Sequence, residues 1–96
     1  MATFIVLLDY TDKGVRDIKD SPHRADSFNE FAEKAGAHVV SQYWTIGSHD
    51  GVLVLEAPSD EVAASVLMHL GAGGNVRTTT LRAYDWAEAQ ELIAQV

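Results

Sequence analysis

The chain has 96 residues and a mass of 10.4 kDa, the size of one small domain. Hydrophobic residues make up 47% of it and charged residues 22%, which is typical of a folded globular protein rather than a disordered one. The net charge of −7 argues against general nucleic-acid binding, and the absence of cysteine excludes disulfides, thiol catalysis and zinc–cysteine sites.

The N-terminal region carries no pattern of a targeting or membrane segment. Its apolar run Phe4–Leu8 ends at Asp9. This run is shorter than the roughly 7–15 apolar residues of a signal peptide core and the roughly 20 of a spanning helix. We therefore expect a cytoplasmic protein without membrane contact, and one domain over residues 1–96.

The first part of the chain predicts a strand, a helix and a second strand. Phe4–Tyr10 is apolar at successive positions, as expected of a strand buried on both faces. Thr11–Gly14 interrupts this run, and the Ser–Pro pair that begins at Ser21 predicts a helix with that serine as its N-cap. Gly36 ends the helix, and Ala37–Ile46 predicts the second strand.

The next part predicts a hairpin and a second helix. Gly47–Asp50 forms the predicted turn, and Gly51–Glu56 is again apolar at consecutive positions, which indicates another strand buried on both faces. Pro58–Glu61 caps a helix and places acidic residues in its first turn, where they favour the helix dipole. The glycine-rich segment Gly71–Gly74 follows a helix and precedes a strand, so it indicates a helix end rather than a phosphate-binding loop.

The last part predicts a fourth strand and a C-terminal helix. Val76–Tyr84 is rich in threonine, and Asp85 with Glu88 forms the pattern of a capping box. The resulting order is the ferredoxin-like β-α-β-β-α-β plan, an α+β fold with a four-stranded antiparallel sheet, here followed by a further helix. Two helices cover only one face of such a sheet, yet the first and third strands are apolar on both. We therefore expect a homodimer or a higher homo-oligomer that associates through the sheet face, as in a dimeric α/β barrel.

Three stretches of the chain, in this order, resemble the GYD-domain family of small bacterial and archaeal proteins. They read FIVLLDYTDKGVRDIKDSPHRA, QYWTIGSHDGVLVLEAPSDE and GGNVRTTTLRAYD. The family is named after a Gly-x-Tyr-Asp hairpin, and this chain has Gly47, His49 and Asp50 there, with the histidine in place of the tyrosine. The resemblance implies a ferredoxin-like protomer of the dimeric α/β-barrel group. It implies no activity, because the family is largely uncharacterised and its neighbours include monooxygenases, haem-degrading enzymes and amino-acid-sensing domains.

The hairpin motif has two interpretations. In the structural one, Gly47 supplies a positive φ and Asp50 accepts hydrogen bonds from the backbone of the turn. In the functional one, His49 and Asp50 form an imidazole–carboxylate pair at the end of the sheet, which is suited to proton transfer.

Arg77 and Arg82 are the only basic residues after Lys34, and their spacing on one strand predicts opposite faces of the sheet. We expect Arg77 with Leu81 on the helix side. Arg82 and Thr80 are then expected on the face turned to a partner copy or a cleft, where they would bind a small anionic ligand. Alternatively, these polar side chains protect an edge strand and Arg82 forms an ion pair across the interface.

Tyr43 and Trp44 are neighbours on the second strand and are expected to face opposite ways. They either anchor the packing or form the wall of a site for an aromatic ligand. No run of the sequence has the spacing of metal ligands, so we expect no metal and no other cofactor.

Two classes of function stay open. The first is a ligand-binding or interaction module without catalysis. The second is a cofactor-independent enzyme, a monooxygenase or an isomerase, in which His49 and Asp50 transfer a proton and Arg82 holds an anion.

Overall fold

The strands and the longer helices follow one another along the chain in the predicted order. The structure is a computed structural model that describes residues 1–96. Its strands and helices are β1 (Ala2–Tyr10), α1 (Asp12–Arg16), a 3₁₀ helix (Ile18–Asp20), α2 (Ser21–Lys34), β2 (His38–Trp44), β3 (Gly51–Ala57), α3 (Asp60–Ala72), β4 (Val76–Ala83) and α4 (Trp86–Ile93).

The four strands form one antiparallel sheet in the order β2-β3-β1-β4. The central strand β1 pairs Phe4 with Leu55 of β3 on one side and with Arg82 of β4 on the other. This strand order, with β1 and β3 in the centre, is that of the ferredoxin-like plan. The predicted α+β fold with a four-stranded antiparallel sheet is therefore confirmed.

The hydrophobic core lies between one face of the sheet and the helices α2 and α3. Along β3, buried residues alternate with half-buried ones, because successive side chains of a strand point to opposite faces. The core cluster consists of Phe4, Val6, Phe28, Ala32, Ala37, Leu53, Leu55, Ala57, Ala63, Val66 and Leu67.

The other face of the sheet carries no helix, and we call it the open face. Its apolar residues are Ile5 and Leu7 of β1, Tyr43 of β2, Val52 and Val54 of β3, and Leu81 and Ala83 of β4. The central strands are thus buried on one face only within a single chain, and their second apolar face is half exposed. The prediction of two apolar faces is confirmed, and α2 and α3 cover only one of them.

Three local features differ from the prediction or refine it. Ser21 is the first residue of α2 rather than its N-cap, and its hydroxyl bonds to side chains of the sheet instead of the helix backbone. Strand β2 ends at Trp44, two residues before the predicted Ile46, and contains a bulge between Val39 and Ser41.

The C-terminal helix α4 begins with the predicted capping box. The carboxylate of Asp85 accepts a hydrogen bond from the Glu88 amide at 2.8 Å, and the carboxylate of Glu88 accepts one from the Asp85 amide at 3.0 Å. No residue of α4 is buried, and Trp86 and Ile93 are 76% and 67% exposed. None of the helices combines the length and the hydropathy needed to cross a membrane.

Candidate functional site

A cleft of about 240 Å³ lies between the helix side of the sheet and the helices α2 and α3. Apolar side chains form part of its wall, contributed by β1, β3 and both helices: Leu8, Leu53, Phe28 and Leu70. Polar side chains reach the same space from the ends of the strands and the first turn of α2: Tyr10, Asp50, Ser21 and Arg24. The cleft therefore combines apolar wall with a few polar groups, as small-molecule sites commonly do.

Ser21 ties the start of α2 to two strands at the edge of the cleft. Its hydroxyl oxygen accepts a hydrogen bond from the Trp44 indole Nε1–H at 3.0 Å and lies 2.9 Å from the hydroxyl oxygen of Tyr10. Because these bonds join α2 to β1 and β2, they hold the wall of the cleft in one geometry.

Asp50 lies beside the end of β1 and presents its carboxylate to the cleft. Its amide donates to the Leu8 carbonyl at 2.8 Å, and its carboxylate Oδ2 accepts from the Tyr10 amide at 2.8 Å. The second carboxylate oxygen, Oδ1, makes no hydrogen bond within the chain. Asp50 thus has the structural role of a backbone acceptor, although its donor belongs to β1 and not to the turn.

Arg24 of α2 is the arginine that borders the cleft. Its guanidinium group donates to the backbone carbonyls of Asp17 at 2.8 Å and Gly14 at 3.5 Å. Both acceptors are uncharged, and the salt bridges of the chain join other residues. The Arg24 charge is therefore held in position without a carboxylate partner.

His49 is paired with Asp9 rather than with Asp50. Its Nδ1 lies 3.1 Å and 3.3 Å from the two carboxylate oxygens of Asp9. The alternation along β1 assigns Asp9 to the open face, where Arg77 of β4 is its cross-strand neighbour, whereas Asp50 borders the cleft on the helix side. The predicted pair of His49 with Asp50 is wrong, because the His49 side chain lies at Asp9 on the open face and Asp50 borders the cleft on the helix side.

The face predicted for Arg82 and Thr80 is also wrong. They pair with Phe4 and Val6, both buried on the helix side, so β4 turns these two residues toward the helices. Arg77 and Leu81, predicted on the helix side, pair with Asp9 and Ile5 and therefore lie on the open face. The prediction assumed that the apolar positions of β4 face the core, but both faces of this sheet are apolar, and only the register with β1 distinguishes them.

Arg82 lies outside the cleft. Its guanidinium carbon is 5.6 Å from the centroid of the Phe4 ring and 4.5 Å from that of Tyr84, and the group donates to the carbonyls of Thr3 and Ala83. Five residues of strand separate Phe4 from the level of Asp50, or about 17 Å at about 3.4 Å per residue. Thr80 lies near Arg82, in a shallower groove between β4 and α3.

Tyr43 and Trp44 face opposite ways, as predicted. Tyr43 pairs with Val52 on the open face and is 63% exposed, and it also borders the cleft at the β2 edge. Trp44 pairs with Gly51 on the helix side and closes the cleft with its bond to Ser21. Of the four ligand-site candidates, Tyr43 and Trp44 border the cleft, Thr80 borders the groove between β4 and α3, and Arg82 borders neither.

Gly47 has a φ of +123°, the backbone conformation that its place in the hairpin predicts. The His69 ring, which borders the cleft, stacks on the Phe31 ring with centroids 3.6 Å apart. No group of three or more histidine, aspartate or glutamate side chains is arranged to hold a metal ion.

The sequence reasoning missed Tyr10, Ser21 and Arg24 as residues of the cleft. Ser21 and Arg24 follow helical spacing, and Tyr10 ends an apolar strand, so each has an ordinary local explanation. The sequence offered one signal for this site. The apolar run of the first strand ends in the polar residues Asp9 and Tyr10, and a few polar groups beside an apolar wall are typical of ligand sites.

The chain is a ferredoxin-like α+β protein with a cleft of about 240 Å³ beside its hairpin. The sequence pattern of the GYD domain matches residues 4–93, and the chain belongs to the GYD-domain family. It is 38% identical over 89 residues to a Thermus thermophilus protein named glutamine synthetase and cystathionine beta-lyase binding protein. That alignment covers 92% of this chain and 94% of the relative.

Solved structures share the fold at low sequence identity. A feast or famine regulatory protein of Mycobacterium tuberculosis, complexed with L-methionine, matches with a TM-score of 0.68 and 21% identity over 88% of this chain and 51% of that chain. This chain therefore spans about half the length of that regulator. A 5-chloro-2-hydroxyhydroquinone dehydrochlorinase of Burkholderia phenoliruptrix matches with a TM-score of 0.60 and 16% identity over 88% and 94% of the two chains.

Proposed function

We propose that this chain is a small cytoplasmic, homo-oligomeric binding module without catalytic activity. Two copies associate through their open faces, and the cleft on the other side of each sheet takes a small anionic or aromatic ligand. The observation that carries the proposal is the open face itself. Ile5, Leu7, Val52 and Val54 form an apolar surface in the centre of the sheet, whereas α2 and α3 pack on the opposite face and no residue of α4 is buried.

The size of the exposed surface supports the association. The chain exposes 6298 Å², whereas a compact monomer of its mass exposes roughly 5,400 Å². The excess of about 900 Å², to which the exposed helix α4 contributes as well as the open face, is comparable to the roughly 800 Å² that each partner buries in a standard interface. The radius of gyration of 14.2 Å also exceeds the roughly 12.5 Å of a compact domain of this length.

The alternative, a cofactor-independent enzyme, requires His49, Asp50 and Arg82 in one site. Asp50 borders the cleft, His49 is bonded to Asp9, and Arg82 lies over the Phe4 ring. Catalytic groups must lie within hydrogen-bond reach of one substrate, or one water away from it. The separation of these three groups favours the binding module over the enzyme.

The Thermus thermophilus relative suggests protein partners for the module. It is named for binding glutamine synthetase and cystathionine beta-lyase, and its alignment covers nearly the whole of both chains. We therefore propose these two enzymes, from the organism of this chain, as its first candidate partners.

The association is tested by light scattering coupled to size-exclusion chromatography at about 10 μM protomer. We expect the wild-type chain to elute as a dimer or a larger oligomer. Val54→Lys should elute as a monomer, because it places a charge in the centre of the open face. Ile46→Lys is the matched control, since Ile46 is fully exposed in the loop after β2 and should keep the wild-type mass. A wild-type monomer, or a Val54→Lys oligomer, would contradict the proposal.

The partners are tested by biolayer interferometry with the immobilised wild-type chain. We expect saturable binding of at least one of the two enzymes at low micromolar concentration or below. Bovine serum albumin serves as the negative control. If neither enzyme binds, the partner proposal fails while the association through the open face stands on its own measurement.

A further inference from the structure

Apart from His69, which stacks on Phe31, the cleft is bordered by one basic and one acidic side chain, and the two are not paired with each other. Arg24 and Asp50 both border it. The salt bridges of the chain are His38–Glu33 and His49–Asp9, so neither cleft charge is neutralised by a neighbouring side chain. Arg24 and Asp50 are not within salt-bridge distance of each other, so both charges remain available to a ligand in the cleft.

Both groups are held in position and keep unused hydrogen-bonding capacity. Asp50 uses Oδ2 to accept from the Tyr10 amide and leaves Oδ1 free. Arg24 uses two of its nitrogens on the carbonyls of Asp17 and Gly14. A guanidinium group has five N–H donors, so several of them stay available to an anion.

Tyr10 is bonded both to Asp50 and to the first turn of α2, which carries Arg24. Its amide is bonded to Asp50, and its hydroxyl is bonded to Ser21, one turn before Arg24 on α2. A ligand with a single charge would bury one of the two groups without a partner, which is costly in a partly dry site. A ligand with both charges satisfies Asp50 and Arg24 at once.

We infer that the cleft binds a small zwitterion, with its anionic group on Arg24 and its ammonium group on Asp50. The inference rests on the proposed function and names the ligand class of the same cleft. The volume of about 240 Å³ lies below the roughly 300–1,000 Å³ of sites for drug-sized molecules, which restricts the ligand to a small metabolite. The apolar wall of Leu8, Phe28, Leu53 and Leu70 adds a preference for a short apolar substituent.

The inference is tested with three matched sets of probes. L-leucine, L-methionine and L-phenylalanine are each compared with their deaminated acid and their decarboxylated amine by isothermal titration calorimetry. We expect at least one amino acid to bind about tenfold or more tightly than both of its single-charge analogues, since each charge-assisted hydrogen bond contributes about tenfold or more. The Trp44 fluorescence should change on binding in a Trp86→Phe background, because Trp44 bonds to Ser21 at the cleft and Trp86 lies outside it.

Two charge-removing variants locate the site. Asp50→Asn keeps an acceptor for the Tyr10 amide, and it should bring the affinity for the amino acid down to that of the deaminated acid. Arg24→Gln should bring it down to that of the decarboxylated amine. Asp26→Asn and Arg16→Gln remove the same charges from exposed positions outside the cleft and should bind as the wild type does.

The outcomes separate this inference from the proposed function. If a deaminated acid binds as tightly as its amino acid, the zwitterion inference is overturned while the small-ligand function of the cleft stands. If no probe binds at millimolar concentration, both the inference and the small-ligand function fail. Equal affinities of Asp50→Asn and the wild type for the amino acid would also overturn the assignment of the ammonium group.

Discussion

Gly14 provides the sharpest test of how the chain packs around the cleft. It is a buried residue of the short helix α1 and lies against the segment that leads into β4. A methyl group at this position would lie 2.0 Å from the Asn75 carbonyl oxygen and 3.2 Å from Cδ1 of Tyr10. Ordinary van der Waals contacts are 3.4–4 Å, so the backbone of Asn75 or of α1 must move by more than 1 Å.

The magnitude of Gly14→Ala follows from two opposing effects. Replacing a glycine by alanine in a helix stabilises a protein by about 1 kcal/mol. Overpacking costs about 1–3 kcal/mol, and the displacement also weakens the bonds of Thr11 to Asn75 and Gly74, at about 0.5–1.5 kcal/mol each. The free energy of unfolding should therefore fall by about 1–5 kcal/mol, and the melting temperature should fall by at least about 4 °C.

Gly71→Ala is the matched control for this prediction. Gly71 lies in the helix α3, and a methyl group there would meet no atom within 4 Å. The same substitution should therefore raise the free energy of unfolding by up to about 1 kcal/mol. Both variants are measured by urea unfolding and differential scanning calorimetry at one protomer concentration, because the stability of an oligomer depends on it. A Gly14→Ala protein as stable as Gly71→Ala would refute the close approach of α1 to Asn75.

Three further predictions concern the core, the entrance to α1 and the C-terminal helix. Leu55→Ala should lower the free energy of unfolding by about 2–5 kcal/mol in urea unfolding, because Leu55 is fully buried; a loss below about 1 kcal/mol would show that the core is not packed as described. Thr11→Val should lower the free energy of unfolding by about 1–3 kcal/mol, because the Thr11 hydroxyl accepts from the Gly14 amide and donates to the Gly74 carbonyl. Thr11→Ser keeps the hydroxyl and should retain the wild-type stability. Equal losses in the two variants would assign the effect to side-chain shape rather than to the hydrogen bonds. Asp85→Ala should destabilise α4 by about 0.5–2 kcal/mol, because it removes the side chain that caps the helix. The amides of residues 86–93 should then exchange hydrogen faster, while the melting temperature of the protein stays unchanged. Unchanged exchange of these amides would contradict the capping box.

The elements of the fold were predictable because their signals are local. The capping box of Asp85 and Glu88 needs only a spacing of three residues, and both the box and the helix after it are present. The positive φ of Gly47 likewise follows from its place in a hairpin. The prediction of Ser21 as an N-cap was wrong, because its hydroxyl bonds to Trp44 and Tyr10. These partners are distant in the sequence, so no local pattern could predict them.

The candidate site was predicted only in part, because its parts meet through the sheet. Asp50 and Trp44 do border the cleft, but His49 and Arg82 do not. The proton-transfer hypothesis paired His49 with Asp50 because they are neighbours in the chain. In the structure, the His49 ring bonds instead to the carboxylate of Asp9 on β1. Sequence adjacency is a poor guide here, since neighbouring side chains near a strand serve opposite faces.

The sequence by itself determined the order of the elements, the membership in the GYD-domain family and the presence of two apolar faces on the central strands. These properties are periodic or local, so they can be recognised without knowing which residues meet. Only the tertiary structure decided which face α2 and α3 cover, since a pattern that is apolar on both faces does not distinguish them, whereas the burial of Phe4, Val6 and Leu55 against these helices does. It also decided that Arg24 and Asp50 share one cleft, because residues 26 positions apart become neighbours only when α2 packs on the sheet.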